Sequence, residues 1–272
     1  MYKRIVLLLG LLVAAPPGMA AGDGPSPGTT RQSDDIPTVS IIIDDLGEDL
    51  HAGRRAISLP GPLAYSLLPH TTYVRDLAKA AHRRNKEVLL HLPMQTVDGR
   101  DVGRGGLTLD MTEHELARML REDIASVPHV VGINNHMGSL LTRHPGHMLW
   151  LMREINRHGD LFFVDSRTTV TTVAQQVAKE NGVPNLRRDV FLDHDPDPDF
   201  IARQFRQLLH VARRQGWALG IGHPYATTLD FLEQHLPRLG EYGVRLVPVS
   251  SLINKQHTND QAPHLITHRP SR

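Results

Sequence analysis

Eight short apolar runs, spaced by polar and helix-patterned segments, constrain this 272-residue chain more than any other feature. They are Val39–Ile43, Leu63–Leu68, Val88–Leu92, Val130–Ile133, Leu161–Val164, Val190–Leu192, Ala218–Ile221 and Val244–Val249. Runs that are apolar at consecutive positions suit parallel strands covered on both faces. The segments between them carry helix signals. "TEHELARMLREDIAS" (112–126) opens on Thr112 with Glu115 three residues on, a capping box, and sets Leu116, Met119, Leu120 and Ile124 on one face. "DFIARQFRQLLHVARRQG" (199–216) follows Pro198 and stops at Gly216. The pattern predicts one α/β domain over 38–253, a barrel or distorted barrel rather than an open doubly wound sheet. No Gly-rich phosphate loop follows the first strand, which argues against nucleotide binding.

The flanks read differently. Lys3 and Arg4 precede an apolar stretch from Ile5 to Ala15, and small residues follow to Ala21. Residues 1–21 therefore read as a secretory signal peptide, too short in its apolar part to span a membrane, so the expected location is periplasmic with no membrane anchor after cleavage. The chain has no Cys, hence neither a lipid-attachment cysteine nor disulfides. Residues 22–37 read as a flexible linker and 254–272 as a disordered tail. Basic and acidic residues nearly balance, 30 against 29, and no Lys/Arg-dense run points to nucleic acid.

In a parallel α/β barrel the site forms where the strands end. Six of the runs end in Asp, His or Asn: Asp44–Asp45, His91, Asn134–Asn135–His136, Asp165, Asp193 and His223. A single such residue is ordinarily a cap or turn former, but six together point to a functional cluster. Asp44 and Asp45 are adjacent, and successive strand residues face opposite ways, so both reach one site only where the strand breaks. Gly47 permits that break. Crowded carboxylates take up a proton unless a cation offsets them, and His91 and His136 at neighbouring strand ends make a divalent cation the economical explanation. One Asp with two His suits Zn2+, with an open position for chemistry. The other Asp is then free to take a proton from water, and His223 across the mouth is placed to act as general acid.

The motifs "IIIDDLG" (41–47), "HLPM" (91–94), "GINNHMGS" (132–139), "FFVDSRTT" (162–169), "FLDHD" (191–195) and "IGHPYATTL" (221–229), in this order, resemble the NodB-like polysaccharide deacetylase superfamily, specifically its divergent periplasmic branch. The resemblance implies a distorted (β/α) barrel of about seven parallel strands and metal-dependent removal of N-acetyl groups from amino sugars. It implies Asp44 as the base, Asp45 as a metal ligand, His223 as the acid and Asp165 as the carboxylate supporting the base. Two departures stand out. Well-studied members carry two metal-binding His four residues apart, whereas His91 is followed by Leu92, Pro93, Met94 and Gln95, so His136 must complete a metal triad with Asp45 and His91. No match to the superfamily's Arg-Pro motif is present.

The leading expectation is a zinc-dependent amide hydrolase acting on an envelope glycan, peptidoglycan or an exported polysaccharide, with N–H groups around Asn134, Asn135 and Gly138 stabilising the oxyanion. The alternative is a catalytically inactive module of the same fold that binds envelope glycan or a wall-remodelling partner. With Trp150 and Trp217 the only tryptophans, no sugar-stacking row is evident, and Tyr225 is the aromatic expected at the mouth. Phosphoester hydrolysis ranks low, since Arg167 is the one cation in a strand-end motif. "HEL" (114–116) lacks the second His of a zinc protease, and no G-x-S-x-G elbow occurs. "DHDPDPD" (193–199) reads as a capped turn.

Overall fold

The computed structural model of the protein describes residues 36–261, with side chains to residue 256. The segments read as export signal and most of the linker lie outside the described residues. From Thr38 the chain alternates strand and helix: β1 (Thr38–Leu46), α1 (Leu50–Ile57), β2 (Ala64–Leu67), α2 (Val74–Arg83), β3 (Glu87–Met94), α3 (Glu113–Ser126), β4 (Val130–Met137), α4 (Pro145–Arg157), β5 (Phe162–Asp165) and α5 (Ala174–Glu180). Then come β6 (Asn185–Arg187), β7 (Val190–Phe191), α6 (Pro198–Gln215), β8 (Trp217–Gly222), α7 (Ala226–His235), β9 (Arg245–Leu246) and α8 (Val249–Gln261). Helix ends follow the local chemistry. Thr112 and Glu115 form the capping box of α3, Asp197 accepts from the Phe200 N–H at the start of α6, and Gly216 ends α6 at φ +89°.

The strands form one parallel sheet in the order β6-β5-β4-β3-β2-β1-β8-β7, with β9 added beside β1. This is the expected barrel with more strands than the expected seven or so, nine among the described residues. β6 and β7 stand at the two ends of the path, yet only two residues separate them in the chain. Those two residues cross the seam: the Arg188 N–H donates to Asp165 O at 2.9 Å and the Asp189 N–H to Leu219 O at 2.9 Å. β6 left no apolar run to read, because among its three residues only Leu186 enters a core. The eighth run divides, with β9 stopping before Pro248 and Val249 opening α8.

Alternation along the strands sorts side chains into two layers. Val39, Ile41 and Ile43 of β1 join Tyr65, Leu90 and Phe163 in a core shared with the helices. Ile42, Ala64, Leu89, Val164, Leu219 and Ile221, from the intervening positions, pack inside the curved sheet. Val249, Leu252 and Ile253 of α8 belong to this inner cluster, so the last helix plugs the barrel where the strands begin. The expected disordered tail is corrected accordingly: residues 254–261 continue α8, and only 262–272 lie outside the described residues. A polar composition concealed a helix anchored by its first turn.

That first turn is capped from the barrel. The Glu87 carboxylate, at the start of β3, accepts from the Val249 N–H at 2.7 Å and the Ser250 N–H at 3.1 Å. Helix N-terminal N–H groups otherwise lack acceptors. Glu87→Ala is expected to cost about 1–2 kcal/mol, read as a lower urea midpoint, with Glu87→Gln losing less because one acceptor oxygen remains.

Candidate active site

Towards the carboxyl ends of the strands the inward positions turn polar. Ile42 gives way to Asp44 on β1, Ala64 to Ser66 on β2, Leu89 to His91 on β3, Gly132 to Asn134 and His136 on β4, and Val164 to Ser166 after β5. Asp44, Asp45, His91, His136, Ser166, Arg188 and His223 line a cavity of about 460 Å3, with Ser66 and Asn134 buried behind them.

Regular alternation would send Asp45 outward to the helix layer. Instead the β1–β2 register slips between Ile43 and Leu46, and Asp45 takes φ +57°, a left-handed conformation that Asp tolerates better than most residues. The regular strand is therefore interrupted at Asp45, before Leu46 pairs again with Leu67. Gly47, at φ +136°, completes the turn, and a Cβ there would lie 2.1 Å from Thr71 Oγ1. The break returns Asp45 to the mouth. Its Oδ1 lies 3.0 Å from His91 Nε2 and 2.9 Å from His136 Nδ1, while its Oδ2 lies 3.7 Å from His223 Nε2.

His91 Nε2 and His136 Nδ1 are themselves 3.1 Å apart. Three donor atoms thus form a triangle with edges near 3 Å, and they belong to a carboxylate and two imidazoles. A divalent cation bound about 2.0–2.1 Å from each at near-tetrahedral angles separates its ligands by about 3.3 Å, so the triangle fits such an ion. Asp45 Oδ1 is buried and, although close to both rings, makes no aligned hydrogen bond. An acceptor left in that state fits a shared cation better than it fits two hydrogen bonds.

The charges are strongly coupled. Burial raises the Asp44 carboxyl above its ordinary range, against the opposing pull of His91 and His223. Burial would raise Asp45 too, but the imidazoles of His136 and His91 outweigh it and hold that carboxyl well below the usual range. Burial disfavours charge on His91, yet Asp44 and Asp45 push it up to about 9. His223 is also raised: burial opposes its charge, but Asp193 accepts from Nδ1 at 2.9 Å and overcomes that cost.

A model of the divergent polysaccharide deacetylase family matches residues 41–253, which span the fold and every residue of this cluster. The chain belongs to that family. It is 34% identical over 262 residues to the uncharacterised protein YibQ of Escherichia coli, covering 96% of this chain and 77% of that one. The same fold is seen in the crystal structure of the uncharacterised protein ATU2773 of Agrobacterium tumefaciens, at TM-score 0.77 and 22% identity over 81% of this chain and 91% of that one. A more distant likeness is BA3943 of Bacillus anthracis, described as a CE4 family pseudoenzyme, at TM-score 0.50 and 14% identity over 81% of this chain and 66% of that one.

In this member of the family the structure brings Asp45, His91, His136, Asp44 and His223 together, and Asp165 does not join them. Asp165 shares the outward face of β5 with Phe163. Its Oδ1 accepts from the Arg167 N–H at 2.8 Å and its Oδ2 from Thr172 at 2.9 Å, so it shapes the loop after β5 instead of supporting Asp44. Asp44 Oδ1 accepts from Asn134 Nδ2 at 2.9 Å instead. The N–H groups expected as oxyanion donors at Asn134 and Asn135 lie within the ladder that pairs β4 with β3. Asn134 is fully buried, and Asn135 donates to Met137 O and accepts from the Ser166 N–H.

Two residues escaped sequence reasoning in their roles. Asp193, seen only as a strand end, fixes His223 through its ring and its backbone N–H and also accepts from Thr228. Arg188 enters the cavity from the seam, with Nε donating to Ser166 O and Nη2 to Arg167 O, and its guanidinium lies 4.7 Å over the Phe191 ring. Nothing in "NLRRDV" distinguishes it from its neighbour Arg187.

Asp193→Asn removes the strongest of the charges that favour protonated His223, leaving Asp44 and Asp45 alone to oppose burial. The His223 pKa is expected to fall, as followed by NMR titration. Any reaction that needs His223 as an acid then loses its alkaline limb at lower pH, because the protonated form disappears sooner.

Proposed function

We propose that this protein is a metal-dependent deacetylase that removes N-acetyl groups from an amino-sugar polymer of the cell envelope. The observation that carries the reading is the triangle of Asp45, His91 and His136 with a buried carboxylate on one side and an Asp-supported imidazole on the other. Zinc best suits one carboxylate and two imidazoles, and such an ion supplies Lewis acidity towards an acetyl carbonyl. Asp44 keeps Oδ2 free, 3.6 Å from His91 Nε2, to take the proton of the attacking water. His223, held at Nδ1 by Asp193, presents Nε2 to the pocket and gives its proton to the departing amine.

Export is part of the proposal. The basic start and apolar stretch of residues 1–21 support a periplasmic location, which brings the protein to peptidoglycan or an exported polysaccharide. Tyr225, half exposed at the rim, offers a face to a sugar ring.

A second reading is a glycan-binding module that has lost catalysis, as in the pseudoenzyme of the same fold. The missing second His after His91 motivates it. His136 weakens it, because a neighbouring strand supplies the imidazole.

Metal analysis of the purified protein tests the reading. About one zinc per chain is expected in wild type and in Asp44→Asn, and little in Asp45→Ala or His136→Ala. On N-acetylglucosamine oligomers, Asp44→Asn is expected to lose about 10²–10⁴-fold in turnover. A wild type that takes up no zinc when supplied would give the binding-module reading the lead, and full turnover by Asp44→Asn would remove Asp44 as the base.

A further inference from the structure

Asn134 lies on the inward face of β4 with no solvent exposure, and every hydrogen-bonding position of its carboxamide is taken. Oδ1 faces His91 Nδ1 at 2.9 Å and also accepts from the Ser66 hydroxyl. Nδ2 donates to Asp44 Oδ1 at 2.9 Å and to Ser166 Oγ at 3.3 Å. A side-chain amide has two acceptor positions and two N–H groups, so none is left over.

The orientation of this amide follows from its neighbours. An ionised Asp44 only accepts, so Nδ2 must face it. Oδ1 is then turned to His91, which must carry a proton on Nδ1, so that the neutral ring keeps its lone pair on Nε2. That is the nitrogen 3.0 Å from Asp45 and 3.1 Å from His136. We infer that Asn134 is a positioning residue that couples the two halves of the site. One amide selects the ligating tautomer of His91 and anchors Asp44 by Oδ1, leaving Oδ2 for proton transfer. The inference rests on the deacetylase reading and deepens it.

The chemistry explains why an amide stands here. A histidine that ligates a metal commonly gives its second N–H to a carboxylate or a carbonyl oxygen. A carboxylate at position 134 would set a second negative charge against Asp44 and would have no proton to donate to it. A backbone carbonyl would serve His91 alone. The amide is the side chain that accepts on one edge and donates on the other in one plane.

The test compares Asn134→Leu, similar in volume without polar atoms, with wild type. Zinc affinity is measured by chelator competition, and kcat and KM on N-acetylglucosamine oligomers at saturating zinc. The expected result is zinc affinity 10–100-fold weaker, together with a kcat that stays about 10²-fold low after the metal site is refilled, at nearly unchanged KM. Asn134→Ala is read in the same way if the leucine variant does not fold. Unchanged zinc affinity overturns the inference, and so does full recovery of kcat at saturating zinc, which would leave Asn134 serving the metal half alone. A wild type that binds no zinc overturns the deacetylase reading and this inference together, whereas a zinc-binding wild type with an indifferent Asn134→Leu overturns the inference only.

Discussion

Adjacent carboxylates repel, and this fold tolerates Asp44 and Asp45 by giving each a different set of partners. Two unit charges about 4 Å apart cost roughly 4 kcal/mol at an effective dielectric near 20, which is comparable to much of a domain's net stability. Asp44 keeps its place on the inward face and is met by Asn134 Nδ2 and the field of His91. Asp45 leaves the strand through a left-handed residue and is met by His91 and His136. His91 touches both sets. A buried imidazole pushed up to about 9 is a measure of how much negative charge surrounds it, and a bound dication would take over that compensating role.

Strand parity decides which of the polar strand ends can take part. Once Ile42, Leu89 and Val164 are inside, so are Asp44, His91 and Ser166, two residues further on, while Asp165 is turned away with Phe163. This rule was legible in the sequence wherever an inward aliphatic residue preceded the motif. Applied to "FFVDSR" it would have preferred Ser166 over Asp165. It does not cover Asp45, whose placement depends on one left-handed residue and a register slip that no local pattern announces.

The fold was legible from the spacing of apolar runs because each central strand is buried on both faces. Legibility fell where strands shrink. β6 and β7 together span five residues, yet the crossing between them seals the seam and brings Arg188 into the cavity. Its role arises from contacts with the carbonyls of Ser166 and Arg167, groups that every residue possesses. The helical course of 254–261 was hidden for a related reason, since α8 is held by Glu87 from β3 and by an aliphatic face inside the barrel, both remote in sequence.

The departure from the two-His motif is accounted for by the β3–β4 ladder. That pairing sets His91 opposite Asn134 and Pro93 opposite His136. His136 therefore stands one inward step nearer the mouth than His91, and the two rings meet nearly edge-on with centroids 4.8 Å apart. A pair of ligands spaced along one segment depends on that segment's local conformation. A pair placed across a ladder depends on register, and a one-residue slip would turn His136 to the helix layer and bring Met137 inward. Asn134, opposite His91 in the same ladder, is then the residue that a correct register necessarily brings against the His91 ring. The two imidazoles and the amide beside them are thus fixed by a single structural choice, which gathers one Asp and two His in a chain without the usual second His.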